Sequence, residues 1–177
     1  MPTARPLLDP VPAELCRTVN SRFRLRCSGA ERPETVERLG LSGLKSLTVE
    51  ARVASVSGSA VHVEALVRAR LIRTCVVTLE DFEETVTLPF KTTFDERAGR
   101  SVPVEEPADP EKDIPEPLGA EGLELGELAI QHLSLALDPY PRHPDAPPPG
   151  QADWLEGSTE SEFASQLASL KDRGDRA

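Results

Sequence analysis

One stretch of this chain has a period that only a strand can use. Leu47, Val49, Ala51 and Val53 alternate with Thr48, Glu50, Arg52 and Ala54, and after Ser57-Gly58-Ser59 the pattern resumes at Val61, Val63, Ala65, Val67, Ala69 and Leu71. Successive side chains of a strand point to opposite faces, so the pattern predicts two half-buried strands joined by a tight turn, a long β-hairpin. A hairpin needs further strands and a cover to be stable. Upstream, Phe23, Leu25 and Cys27 alternate with arginines at the end of a loosely extended segment, Leu15–Cys27. Glu31–Gly40 reads as a short helix, with Pro33 near its first turn and Gly40 just past its end. Downstream, the β-branched run Cys75–Leu79 predicts another strand, and Thr85–Phe94 a further one after the acidic break Glu80–Glu84. The cover comes from Leu123–Leu137, an amphipathic helix stopped by Asp138-Pro139. Ser161–Lys171 is a second, shorter helix with Phe163, Leu167 and Leu170 in one stripe. The predicted fold is α+β: an antiparallel sheet of about four to six strands. It is an open sheet or a partly closed barrel, with one covering helix and short terminal helices.

Composition limits how much of the 177 residues this unit takes up. Only 38% are hydrophobic and 4% aromatic, and the 17 prolines crowd the first dozen residues, 103–117 and 139–149. The expected organisation is a flexible 1–13, a domain over 14–142 with an acidic loop at 101–121, and a Pro-rich linker with a short helix over 143–177. The net charge of −10 is uneven: Met1–Arg73 carries 12 Lys and Arg against 7 Asp and Glu, the remainder 8 against 23. That split suits a basic face for an anionic partner, or equally acidic linkers that keep the protein in solution. No run approaches the roughly 18 apolar residues of a membrane span, and Met1–Pro12 has no apolar core of a secretory signal. The expectation is a cytoplasmic protein with no membrane partner. Its three cysteines, Cys16, Cys27 and Cys75, would be reduced.

Catalytic and metal chemistry find little purchase. His62, His132 and His143 are spaced neither with one another nor with a cysteine in a ligand pattern. No G-x-S-x-G elbow or phosphate-cradling Gly-rich loop is present. Cys75, inside a predicted strand, reads as an inert core thiol, and the carboxylates fall in solvated runs. The chain is expected to be no enzyme and to need no cofactor or metal. The arginines carry more. Arg22, Arg24 and Arg26 share one strand face, and Arg68, Arg70 and Arg73 follow at near-alternate positions. Guanidinium groups in a row can track a phosphate backbone, so these six are the RNA-binding candidates. They can also pair with Glu50, Glu64 or the acidic loop on a solvent-exposed face.

Two segments resemble the YceD family. Arg73-Thr74-Cys75-Val76-Val77-Thr78-Leu79-Glu80-Asp81-Phe82 looks like the family's strand carrying a C-x-x-C-L-E-P type motif, matched at Cys75, Leu79 and Glu80. Leu123-Glu124-Leu125-Gly126-Glu127-Leu128, continuing through Leu135-Ala136-Leu137 to Asp138-Pro139-Tyr140-Pro141-Arg142, is similar to its "D-L-G-E-L … L-A-L-D-P-Y-P" helix and turn. The end, Phe163-Ala164 through Leu170-Lys171, resembles the closing "F-A-x-L-x-x-L-K" helix. The likeness reaches from about residue 45 to 171. Thr78 stands where the second cysteine of the pair would be, so any chemistry of that pair is not open to this chain. Tyr140 and Arg142 are carried over as a shared surface, or Tyr140 seals the helix end against the sheet. The resemblance implies a non-catalytic ribosome-biogenesis role in processing or accumulation of large-subunit ribosomal RNA. The implied partners are ribosomal RNA or a pre-ribosomal particle, and a large-subunit ribosomal protein. The competing reading is an acidic adaptor or chaperone whose segment 105–127 holds a basic ribosomal protein without touching RNA.

Overall fold

The computed structural model describes residues 4–98, 114–119 and 121–147. The alternating run is the centre of the fold. β3 (Gly43–Ser57) and β4 (Ala60–Thr74) pair antiparallel from Gly43↔Ile72 to Ser57↔Ala60, with register shifts at Leu44/Ser46 and Val53/Ser55. The turn between them needs a left-handed residue, and Gly58 provides it at φ 60°. β2 (Arg22–Arg26) adds antiparallel to β3, and β5 (Asp81–Asp95) runs beside β4 along its whole length, from Ala60↔Asp95 to Thr74↔Asp81. Two-residue strands, β1 (Arg5–Pro6) and β6 (Glu116–Pro117), pair parallel at the two edges, in the order β1-β2-β3-β4-β5-β6. The sheet is therefore antiparallel through its four long strands and mixed only at its rims.

One face of this curled sheet makes the core. Val49, Val53, Val63, Val67, Leu71 and Phe94 point inward and are buried. Each fully buried aliphatic side chain stabilises by about 1.5–3 kcal/mol. α3 (Leu125–Ala136) lays Leu125, Leu128, Ala129 and Leu133 on that face, and His132 stacks on Phe90 with ring centroids 4.5 Å apart. The chain beyond β1 and the chain beyond β6 meet below α3. There Val11 and Leu123 exchange two main-chain hydrogen bonds of 2.9 Å each. Two glycines permit this junction. A Cβ on Gly126 would sit 1.7 Å from the Leu7 carbonyl oxygen, and one on Gly122, already at φ 128°, 1.9 Å from that of Val11.

Three segments depart from the expectation. Cys75–Leu79 is a tight loop, not a strand: the β4–β5 hairpin turns there, and the acidic Asp81–Glu84 already belongs to β5. The β-branched run misleads because hydrogen bonds within 75–80 and one from far along the chain fix it as a turn. Leu15–Cys27 is split between the single-turn α1 (Ala13–Cys16) and β2. At the start, where prolines suggest little order, Leu7 and Val11 are buried in the core. The Glu31 carboxylate, at the head of α2 (Arg32–Arg38), accepts N–H bonds from Leu7 (3.2 Å), Leu8 (2.7 Å) and Ser28 (2.7 Å). Burial raises the Glu31 pKa, but these bonds more than offset it and hold it below the usual range. The predicted helix 161–171 and the acidic stretch up to residue 113 lie outside the described residues.

Candidate nucleic-acid interface and the loop pair beside it

The face of the sheet turned away from α3 is an array of charge. Inward Phe23 and Leu25 leave Arg22, Arg24 and Arg26 exposed on β2. Across the sheet, three carboxylates are each held between two cations. Glu50 pairs with Arg68 at 2.6 Å and Arg24 at 3.8 Å, Glu64 with Arg52 at 2.7 Å and Lys91 at 3.2 Å, and Glu83 with Arg70 at 2.5 Å and with Lys45. Hydrogen bonds from Lys91 and Arg52 hold Glu64 below the usual carboxylate range, and those from Lys45 and Arg70 do the same for Glu83. Each triad keeps one positive charge in excess. Among the described residues Arg22 and Arg26 have no carboxylate within 4 Å; with Asp81 and Asp95 at the two ends of β5 sharing the outward parity of Glu83, this face carries eight cations against five carboxylates. An open groove of about 890 Å³ crosses it, lined among others by Arg22, Arg24, Arg52 and Lys91.

Sequence reasoning found Arg22, Arg24, Arg26, Arg68 and Arg70 on this face and missed Lys45, Arg52 and Lys91. Strand parity places Arg52 there, since it alternates with buried Val53. Lys91 needs the register Glu64↔Lys91, and Lys45 follows a register irregularity. Arg73 is on the opposite face. Its odd number gives it the parity of buried Leu71, and it is only 8% exposed. There it pairs with Glu84 at 3.0 Å and donates to the main-chain carbonyl of Asp138.

That contact joins the two segments that resembled a known family. The 75–80 loop is closed on itself by Cys75 N–H to the Glu80 carbonyl (2.8 Å) and Leu79 N–H to the Cys75 carbonyl (2.9 Å). Leu79 takes a left-handed φ of 61°. The loop then docks on the turn after α3, where Val76 N–H donates to the Pro141 carbonyl at 2.9 Å and the Phe82 and His143 rings meet edge to face at 5.6 Å. Asp138 organises the turn, its Oδ1 accepting the Tyr140 N–H at 2.8 Å. The Arg142 guanidinium donates to the Pro147 carbonyl. At the other end of the helix, Leu125 and Leu128 enter the core, Gly126 allows the approach of Leu7, and Glu127 forms a two-pronged pair with Arg38, one bond 2.8 Å long. Tyr140 is exposed and does not seal the helix end.

Cys75 is buried, yet its sulfur is no ordinary core thiol. Burial pushes its pKa up, but hydrogen bonds from the His143 N–H, the Thr78 hydroxyl, and the Thr78 and Val77 N–H groups outweigh that and bring it down to about 6. The last two are 3.4 Å long. Thr78 thus supplies donors to the Cys75 sulfur. Burial drives Cys16 the other way, up to about 11 against the bond from Leu123, and raises Cys27 as well. Among the described residues no three His, Cys, Asp or Glu side chains gather as a metal-ligand set, and no helix is long and apolar enough to cross a membrane.

The molecule is thus an α+β sheet domain whose distinguishing constructions are a net-positive sheet face and a braced pair of loops at the end of its covering helix. A family model described as "Large ribosomal RNA subunit accumulation protein YceD" matches residues 63–173, which takes in most of β4, all of β5, the loop pair and α3, and the chain belongs to this family. That description names an accumulation role and no reaction. No curated protein and no solved structure matches the chain.

Proposed function

We propose that this chain is a non-catalytic ribosome-biogenesis factor needed for processing or accumulation of large-subunit (23S) ribosomal RNA. It acts by binding that RNA, or a pre-ribosomal particle, with the outer face of its sheet. The observation that supports this most is the excess of eight cations over five carboxylates on one face, among the described residues, of a chain whose net charge is −10. Such a segregated field attracts a polyanion while the rest of the surface repels it. Arg22 and Arg26 are the freest cations on this face. Arg24, Arg68 and Arg70 are held at fixed positions by their carboxylates, each triad offering one charge. The described phenylalanines Phe23, Phe82, Phe90 and Phe94 are all at inward-facing register positions, so among the described residues this face has no phenylalanine, tyrosine or tryptophan on which bases could stack. It fits the backbone of folded, helical RNA better than splayed single strands. The cellular test is depletion of the protein followed by measurement of both ribosomal RNAs. The reading expects loss of large-subunit RNA with small-subunit RNA retained, and equal levels of the two would refute it.

A further inference from the structure

The pair of loops at the end of α3 presents an apolar surface that the fold does not use. Val76, Val77, Leu79 and Tyr140 are all exposed there, Leu79 at 77% and Tyr140 at 71%. Large apolar side chains gathered on a surface mark contact sites more often than scattered ones do. These are also firmly held, because the 75–80 loop is closed by main-chain hydrogen bonds, the turn after α3 by the Asp138 carboxylate, and the two are joined through Val76 and Pro141. Leu79 is informative on its own. At φ 61° a leucine is strained where asparagine or glycine would rest easily, and its side chain touches little of its own protein. Strain kept at an exposed apolar residue points to a use outside the fold.

Charge says what the surface accepts. Exposed Glu80, Asp81, Asp138 and Asp145 surround these loops, while Arg73 beneath them is neutralised by Glu84 and the Arg142 guanidinium is turned to the Pro147 carbonyl. We infer that the Val76–Val77–Leu79–Tyr140 surface docks a basic protein segment, with apolar side chains of the partner against Leu79 and Tyr140 and its Lys or Arg groups against the acidic rim. This surface is distinct from the positive sheet face and does not rest on its reading. A molecule with both would hold a polyanion and a cationic protein at once.

The test is calorimetric titration of the full chain with a synthetic amphipathic Leu/Lys peptide and with a peptide in which Glu replaces each Lys. The Lys peptide should bind at least about tenfold tighter than the Glu peptide, and Leu79→Asn or Tyr140→Ser should each weaken it by about tenfold or more. Asn suits the left-handed backbone, so Leu79→Asn keeps the fold, and an unchanged melting temperature verifies that. Arg22→Glu/Arg26→Glu should leave peptide binding intact, which separates this surface from the sheet face. Equal binding of both peptides, or full binding by both tip variants, overturns the proposal. It is also overturned if sedimentation shows a dimer that Leu79→Asn dissolves, since a second copy is then the occupant. Binding that emerges only in Phe163→Asp/Leu167→Asp would assign the surface to the chain's own tail and overturn it equally.

Discussion

The guanidinium of Arg73 is buried between the carboxylate of Glu84, at 3.0 Å, and the main-chain carbonyl of Asp138, and so pins the turn after α3 to the end of the β4–β5 hairpin. Arg73 is the cation that brings together two segments 65 residues apart. It belongs to the construction of the loop pair, whereas Arg68 and Arg70 belong to the sheet face.

Removing it should be costly. Arg73→Gln takes a buried guanidinium away from the Asp138 carbonyl and from Glu84, which is one-third exposed and stays partly solvated, so a loss of about 1–3 kcal/mol is expected. Urea unfolding should show that loss. By contrast Arg38→Gln, which breaks the more exposed pair with Glu127, should cost only about 0.2–1 kcal/mol.

Much of this was legible beforehand, and where it failed the reason is physical. The hairpin was readable because burial on one face forces period two from Leu47 to Leu71. The inward direction of Arg73 was available from the same parity, but an arginine invites a solvent reading. The loop at 75–80 was not available. Val76, Val77 and Thr78 have strand propensity, and bonds within the loop, to Glu80 and to the Cys75 sulfur, together with the distant Pro141 and His143 hold them in a turn. Nor could Leu7 and Val11 be seen as core, since the prolines around them hide a segment whose bonds come from Glu31 and Leu123.

Gly126→Ala should be among the most damaging small substitutions. Its methyl would meet the Leu7 carbonyl at 1.7 Å, so α3 must move off the N-terminal segment. A loss of about 2 kcal/mol or more in unfolding free energy is expected, with Leu7–Val11 amides losing hydrogen-exchange protection first. Gly29→Ala, where nothing lies within 4 Å, should be close to neutral.

Stability should depend on pH through Cys75. Its folded pKa, about 6, is below the ordinary thiol value of 9.0, so the unfolded chain binds more protons between them. The contribution is complete above about pH 9 and lost as pH falls through 6. Cys75→Ser should flatten unfolding free energy measured over that window, and the thiolate ultraviolet absorbance of the folded protein should titrate near 6. Thr78→Val removes one donor and should move that titration upward.

The central claim is that the outer sheet face binds ribosomal RNA, and the most direct test is the salt dependence of that binding. Affinity for a large-subunit RNA fragment, followed by fluorescence anisotropy across a range of salt, should fall steeply for the natural chain. Arg22→Glu/Arg26→Glu should bind about tenfold or more weakly at low salt, with a log–log slope shallower by about two. An unchanged affinity and slope in that variant, with the fold verified intact, would contradict the account.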